Sequence, residues 1–301
     1  MGSDMKKKSA AGNLAALFTI LVWGTTFIST KVLLKDFAPV EILFFRFVLG
    51  FAALMLVYPH RMKLNDRKQE LYFAAAGICG VTLYFLLENI ALTFTMASNV
   101  GIIVTVSPFF TAIFSRLFTK EKERTSANFF VGFVLAMIGV SLITFNGNAS
   151  FHINPFGDLL AVGASIVWAA YSVLTKKIAA FGYHVIPTTR RIFGYGLFFM
   201  VPALFFMEFH LELGRFTNPV YLFNVLFLGL LASALCFVTW NFAVEALGPV
   251  KTSVFMYITP VVTVITSVIV LKETITPMAL VGIMLTLAGL FISEKKRRVH
   301  T

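Results

Sequence analysis

One carboxylate, Glu88, stands inside the apolar stretch LYFLLENIALTF, residues 83–94. An ionised group in such a setting is costly unless it is paired, hydrated or protonated. Burial favours the neutral form of a carboxyl, so Glu88 is a candidate for exchanging a proton or sensing a cation. The other reading is a structural ion pair with Arg46 of the stretch FFRF. The two are compatible if the pair breaks during a working cycle. Tyr84 lies one helical turn before Glu88 on the same face, and Asn89 follows it directly. Either can hydrogen-bond a polar solute or a neighbouring helix, and Asn99 adds a further amide for a cavity lining.

Aromatic rings form a second group: Trp168 with Tyr171 on nearly the same face, Trp240 beside Asn241, and Tyr257. Such rings line an apolar cavity and stack on aromatic or cationic groups, or they simply pack. Arg190 and Arg191, like Arg46, suit a gate that holds carboxylates or a salt bridge that shapes the scaffold. Pro108 and Pro260 each remove a rung from a helical ladder and free a carbonyl, giving a hinge or a fixed kink. His60, His152, His184, His210 and His300 are scattered, with no HxxxH, HExxH or CxxC spacing. Neither a metal nor another cofactor is expected.

The elements that carry these groups belong to a membrane. Apolar residues make up 58% of the 301 and charged ones only 13%, where a soluble domain is about half apolar and a quarter charged. A spanning helix needs about 20 mostly apolar residues. Ten segments qualify: 12–34, 39–59, 71–92, 98–118, 127–146, 156–175, 186–208, 219–243, 250–270 and 277–293. Lys6, Lys7 and Lys8 lead straight into the first, which reads as a span and not a cleaved leader. The net charge of +11 sits in loops and tails, so it signals topology and not nucleic acid. With the start of the chain inside, 18 Lys and Arg fall on that side and four outside. That bias puts both ends in the cytoplasm of a multi-pass protein of the plasma (inner) membrane. Cys79 and Cys236 lie in apolar runs and read as small core residues.

The chain repeats itself. VWGTTFISTK ends at Lys31 and VWAAYSVLTK at Lys176, and at the same offset of 145 Arg46 matches Arg191. Farther on the offset is 152, where Asn89 matches Asn241, Trp240 takes the place of Glu88 and Pro108 matches Pro260. At an offset of 150, Gly132 and Gly139 match Gly282 and Gly289. Two repeats follow, 1–149 and 150–301. Five spans is an odd number, so the second repeat enters the membrane inverted, related to the first by a two-fold axis in the membrane plane. The stripes Gly132-Ala136-Gly139 and Gly282-Thr286-Gly289 are expected to let helices 5 and 10 pack closely or to make a dimer face.

The motifs VWGTTF, FFRF and SPFFTAIFSRLFTKEKERTSANFFVGFVLAMIGVSL, with their second copy TPVVTVITSVIVLKETITPMALVGIMLTLAGLFI, resemble the drug/metabolite transporter superfamily and, within it, the ten-helix EamA-type exporters. The resemblance covers nearly the whole chain. It departs where Lys120 and Lys272 replace the glycine usual before the loop glutamate, and Glu88 lies outside its motifs. The resemblance implies an all-α membrane protein that exports a small metabolite, often an amino acid, from a central cavity, without ATP. The sequence agrees in having no GxxxxGK[ST]. The expected partners are the small-molecule substrate and the lipid bilayer, for a monomer or homodimer. A lipid-modifying enzyme would need paired Asp or His at one face, and a channel a polar pore lining or filter loop; neither pattern is visible.

Overall fold

A helix satisfies its own backbone, which is why runs as apolar as these fold as helices in lipid. A computed structural model of the chain describes residues 2–95, 97–118, 127–144, 154–207, 209–271 and 276–294. Among these residues the elements are ten helical rods, a short 3₁₀ helix at Leu213–Thr217 and no strands. They are α1 (Gly2–Leu33), α2 (Pro39–Val57), α3 (Gln69–Phe94), α4 (97–118), α5 (Ala127–Thr144), α6 (Pro155–Ala179), α7 (Val185–Phe206), α8 (Pro219–Leu247), α9 (249–271) and α10 (Pro277–Glu294). Six stretches, in α1, α2, α3, α6, α8 and α9, are long and apolar enough to cross a membrane by length and composition alone. The stretches Ala127–Ile143 and Pro277–Ser293 are apolar but shorter.

The rods overrun several expected spans. α1 begins at Gly2 rather than 12, and α8 runs on to Leu247 rather than 243. Hydrophobicity marks the part of a helix that lipid covers, whereas hydrogen bonding continues into water. The loop pairs Lys120-Glu121 and Lys272-Glu273 lie outside the described residues.

The packing obeys the repeat. α1 lies against α8 and α9, and its counterpart α6 lies against α3 and α4. α2 packs on α8 as α7 packs on α3, while α2–α7, α4–α9 and α5–α10 pack counterpart on counterpart. Even the irregularities are paired. α3 widens into a π turn over Ile78–Leu83 and α8 over Phe227–Leu235, which is the matching place at the 152-residue offset. A π turn shifts the helical face that follows it. In α3 that face presents Tyr84 and Glu88.

Glycines set how near the rods come. Where Gly139 faces α10, an added Cβ would lie 2.5 Å from the Thr286 nitrogen, and at Gly289 it would lie 2.6 Å from the Gly132 carbonyl oxygen. The two stripes therefore join α5 to α10 backbone against backbone. Gly77 meets α7 at Gly196, and its counterpart Gly229 meets α2 at Leu49 and the Arg46 carbonyl. α4 and α9 bend at their prolines. The α4 ladder breaks at Thr105–Val106, and the Val104 carbonyl left free by Pro108 accepts from Ser107 Oγ at 2.6 Å. α9 tightens to a 3₁₀ turn over Phe255–Ile258, just before Pro260.

Gly139→Leu should cost roughly 1–3 kcal/mol or more, as overpacking does, because α5 cannot retreat without uncovering α10. Thermal unfolding in detergent, followed by size-exclusion chromatography, should show an earlier loss of the monodisperse peak. An unshifted profile would contradict the close approach.

Candidate functional site

The chain links divide the bundle into two ends. The links 34–38 and 209–218 lie at the first, and 58–68 and 180–184 at the second. A cleft opens between the halves, lined by Trp23, Thr26, Phe27, Arg46, Tyr84, Phe85, Glu88, Gly101, Val104, Thr105, Trp168, Met256 and Thr259. At 1.5 Å per residue, Glu88 and Arg46 both sit roughly 10 Å below the first end. Trp168, Met256 and Thr259 floor the cleft near mid-bundle.

Glu88 is 8% exposed, and its Oε2 has no hydrogen-bond partner among the described residues. Arg46 is 3% exposed. Its Nε donates to Ser233 Oγ at 3.0 Å, and its guanidinium lies 4.3 Å from the centre of the Phe85 ring. Among the described residues Arg46 is not in the set of ion pairs, so the direct Arg46–Glu88 pair expected from their matched depths is not formed. Ser233 of α8 and the Phe85 ring of α3 hold the guanidinium between them, and the two opposite charges face one cleft without forming an ion pair. Tyr84 joins them, its ring 4.7 Å from Trp168. Trp23, 5.3 Å from Trp168, donates its indole N–H to the Ala232 carbonyl in the π turn of α8 at 2.9 Å.

Other expected residues lie elsewhere. Asn89 donates to the Pro39 carbonyl at 3.2 Å and ties α3 to the start of α2. Asn241 donates to Thr189 Oγ1 at 3.0 Å and accepts from Tyr171 O–H at 2.8 Å. Trp240 and Tyr257 are fully buried. Asn99 belongs to α4, and its side chain lies outside the described set. Thr105 lines the cleft, whereas Ser107 bonds its own helix.

The repeat offsets explain this division. Glu88, Thr26 and Thr105 line the cleft, and their counterparts Trp240, Tyr171 and Tyr257 sit roughly 10–12 Å from the second end. There Trp240 and Tyr171 belong to a solid ring cluster, while Tyr257 is buried in a separate cluster with Ala112, Phe129 and Val254. Trp168 lies 5.0 Å from Tyr171 and 5.9 Å from Trp240, and a Cβ on Gly80 would strike the Tyr171 ring at 2.2 Å. Small or polar side chains leave room on one side of the pseudo-two-fold axis, and rings fill the equivalent room on the other.

Arg190 and Arg191 do not reach the cleft. Arg191 pairs with Glu70 through two hydrogen bonds, Nε to Oε2 at 3.0 Å and Nη2 to Oε1, and donates to the Met62 carbonyl at 3.0 Å. Arg190 donates to the carbonyls of Tyr58 and His60. Tyr195 O–H donates to Glu70 at 2.6 Å, and Tyr183 O–H to Gln69 at 2.7 Å. The second end is thus clasped, link 58–68 to α7 and link 180–184. The first end has a matching clasp that sequence reasoning missed. Arg215 grips Glu41 through both carboxylate oxygens, at 2.8 and 2.9 Å, and Glu41 also accepts from the Ala38 and His210 backbone N–H groups. The bond to Glu41 raises the Arg215 pKa, so this guanidinium stays charged. Isolated charges at helix ends were the only signal of these contacts in the sequence, and nothing in it named their partners.

Comparison with known proteins agrees with this architecture. The EamA-like transporter family model matches residues 10–145 and again 155–294. The chain is 28% identical over 295 residues to an uncharacterized transporter of Archaeoglobus fulgidus, covering 95% of this chain and 98% of that one. It is 25% identical to a protein of Streptantibioticus cattleyicolor named "probable terminal-alkyne amino-acid exporter", covering 94% and 93%. A solved crystal structure superposes with a TM-score of 0.75 at 18% identity, covering 95% of this chain and 96% of the other. A doubled five-helix bundle, a cleft between its halves and a family model that matches twice lead to one conclusion: the chain belongs to the EamA-like transporter family of the drug/metabolite transporter superfamily and is a multi-pass membrane transporter.

Proposed function

We propose that the protein is a secondary transporter that exports a small organic metabolite, an amino acid or a related compound, by alternating access through the central cleft. The observation that carries this reading is the one-sidedness of the cleft: its lining lies in the half of the bundle nearer the first end, and the equivalent place toward the second holds the rings of Trp240 and Tyr171. In an inverted repeat, exchanging the conformations of the halves moves the opening to the other side. Complementary chemistry supports a zwitterionic solute. The unpartnered Glu88 oxygen suits an ammonium group. Arg46, which spends one of its five donors on Ser233, suits a carboxylate. Trp23, Trp168 and Phe85 offer apolar faces to the rest. The relative named as an amino-acid exporter points the same way. The lysine and arginine bias puts the second end and both termini on the cytoplasmic side of the plasma membrane, and in that orientation the lining of the cleft lies in the outer half of the bundle. Proton coupling through Glu88 follows if substrate and proton compete for its carboxylate.

The clasps fit a role as fixed joints, in place of the gate expected of Arg190 and Arg191. The repeat relates link 34–38 to link 180–184 and link 209–218 to link 58–68, so each clasp maps onto the other when the halves exchange conformations. Both are closed in one structure, and exchange leaves both closed. Movement then falls on the ring cluster and on the bends at Pro108 and Pro260.

Two outcomes are expected in proteoliposomes. Glu88→Gln should fold normally but weaken counterflow and flatten its pH profile. A lost charge-assisted hydrogen bond is worth about 1.5–3 kcal/mol, on the order of 10- to 100-fold in binding. Unchanged counterflow at every pH would remove Glu88 from the mechanism. Glu41→Cys with Arg215→Cys, bridged by a bifunctional thiol reagent in a background with Cys79 and Cys236 replaced by alanine, should still exchange substrate. Arrest on bridging would make the clasp a gate.

A further inference from the structure

Of the described α-helical glycines from Gly12 onward, Gly101 alone has open space where its side chain would be; Gly214, which is also open, lies in the 3₁₀ turn of an exposed link. A Cβ at Gly12, Gly24, Gly50, Gly77, Gly80, Gly132, Gly139, Gly157, Gly196, Gly229, Gly282 or Gly289 would come within 3.0 Å or less of another atom, and at Gly163 and Gly194 it would make ordinary contact, but at Gly101 it would meet nothing within 4 Å. The backbone there is α-helical, so no left-handed conformation calls for glycine. Glycine inside a helix is destabilising relative to alanine, because it gives up more backbone freedom on folding. Neither packing nor conformation accounts for it, and what remains is the room it leaves in the cleft wall. Its counterpart at the 152-residue offset, Ser253, is fully buried on the filled side, so the opening belongs to the cleft alone.

We propose that Gly101 is the specificity-determining position that sets the largest substrate side chain the cleft admits. Glu88 and Arg46, on α3 and α2, would anchor the charged groups of a solute, and its variable part would extend toward the wall of α4 that Gly101 leaves bare. This rests on the reading of the cleft as the substrate site. A competing role for Gly101 is flexibility, since the α4 ladder breaks four residues later at Thr105.

The test uses the purified full chain and thermal shifts with a ladder of L-amino acids: alanine, valine, leucine, phenylalanine and tryptophan. Gly101→Ala and Gly101→Leu should fold as the wild type does. Gly101→Leu should lose affinity for the largest members by roughly tenfold or more, the scale of a steric overlap, with alanine and valine within about threefold. Gly101→Ala should give a smaller loss in the same order. Loss that is uniform across the ladder, already complete in Gly101→Ala, would overturn the size role in favour of flexibility; no loss in either variant would overturn it too. A reading without substrate separates this inference from the one beneath it. Gly101→Cys, with Cys79 and Cys236 replaced by alanine, should react with both methyl and benzyl methanethiosulfonate and keep its melting temperature. Failure of the benzyl reagent to react would show that the space is not there. If no amino acid stabilises the wild type although both reagents react, the zwitterion reading fails. The ladder of matching amines and carboxylic acids then decides Gly101 by the same size-ordered criterion.

Discussion

The scarcity of water inside the bilayer governs this molecule. A polar group there has to find its partner within the protein, in a wet cleft or in a solute. Helices answer the demand for the backbone, and the side chains follow. Thr19, Thr111 and Thr286 return their hydroxyls to carbonyls one turn back. Ser107 takes up the carbonyl that Pro108 frees, and Trp23 takes one from the π turn of α8. Against that background Glu88 Oε2 is the one carboxylate oxygen among the described buried side-chain atoms left without a partner, in a side chain nine-tenths buried. The same scarcity makes the Glu41–Arg215 pair at a helix start a firm tie, because the carboxylate is 1% exposed and its oxygens accept four hydrogen bonds.

Symmetry and its local failure divide the labour. The scaffold keeps the two-fold relation: the π turns, the proline bends, the end clasps and several glycine contacts, such as Gly77 with Gly229 and Gly139 with Gly289, come in pairs. Backbones that approach this closely tolerate no side chain in between, so the repeated glycines are bound to the architecture. The cleft departs from the relation at several places, among them Glu88 against Trp240, Thr26 against Tyr171, Thr105 against Tyr257 and Gly101 against Ser253. Differences of this kind leave room on one side and fill the equivalent place on the other. A transporter with a direction needs such a difference, since two identical halves would present the same surface to both sides.

Much of this was legible in the residues. Apolar runs of spanning length gave ten rods. The doubled motifs gave the pairing of halves, and the glycine stripes gave the α5–α10 contact. Glu88, Arg46, Tyr84 and Trp168 do share one cleft. Asn89 and Asn241, identical in type and matched by the repeat, were as fit to line a cavity as to join helices, and both join neighbours within the protein. Arg190 and Arg191 look like Arg46 in sequence, yet they hold a loop.

Sequence by itself determined the membrane habit, the number of rods and the inverted pairing, because these follow from hydrophobic length and from internal likeness, both of which are local or periodic. Tertiary structure alone decided which polar groups find partners and which face the cleft. A π turn rotates every residue beyond it, a ring fills or spares a volume according to its neighbours from other helices, and an arginine selects among acceptors up to 180 residues away in the chain. None of these is encoded at the position where its effect is felt.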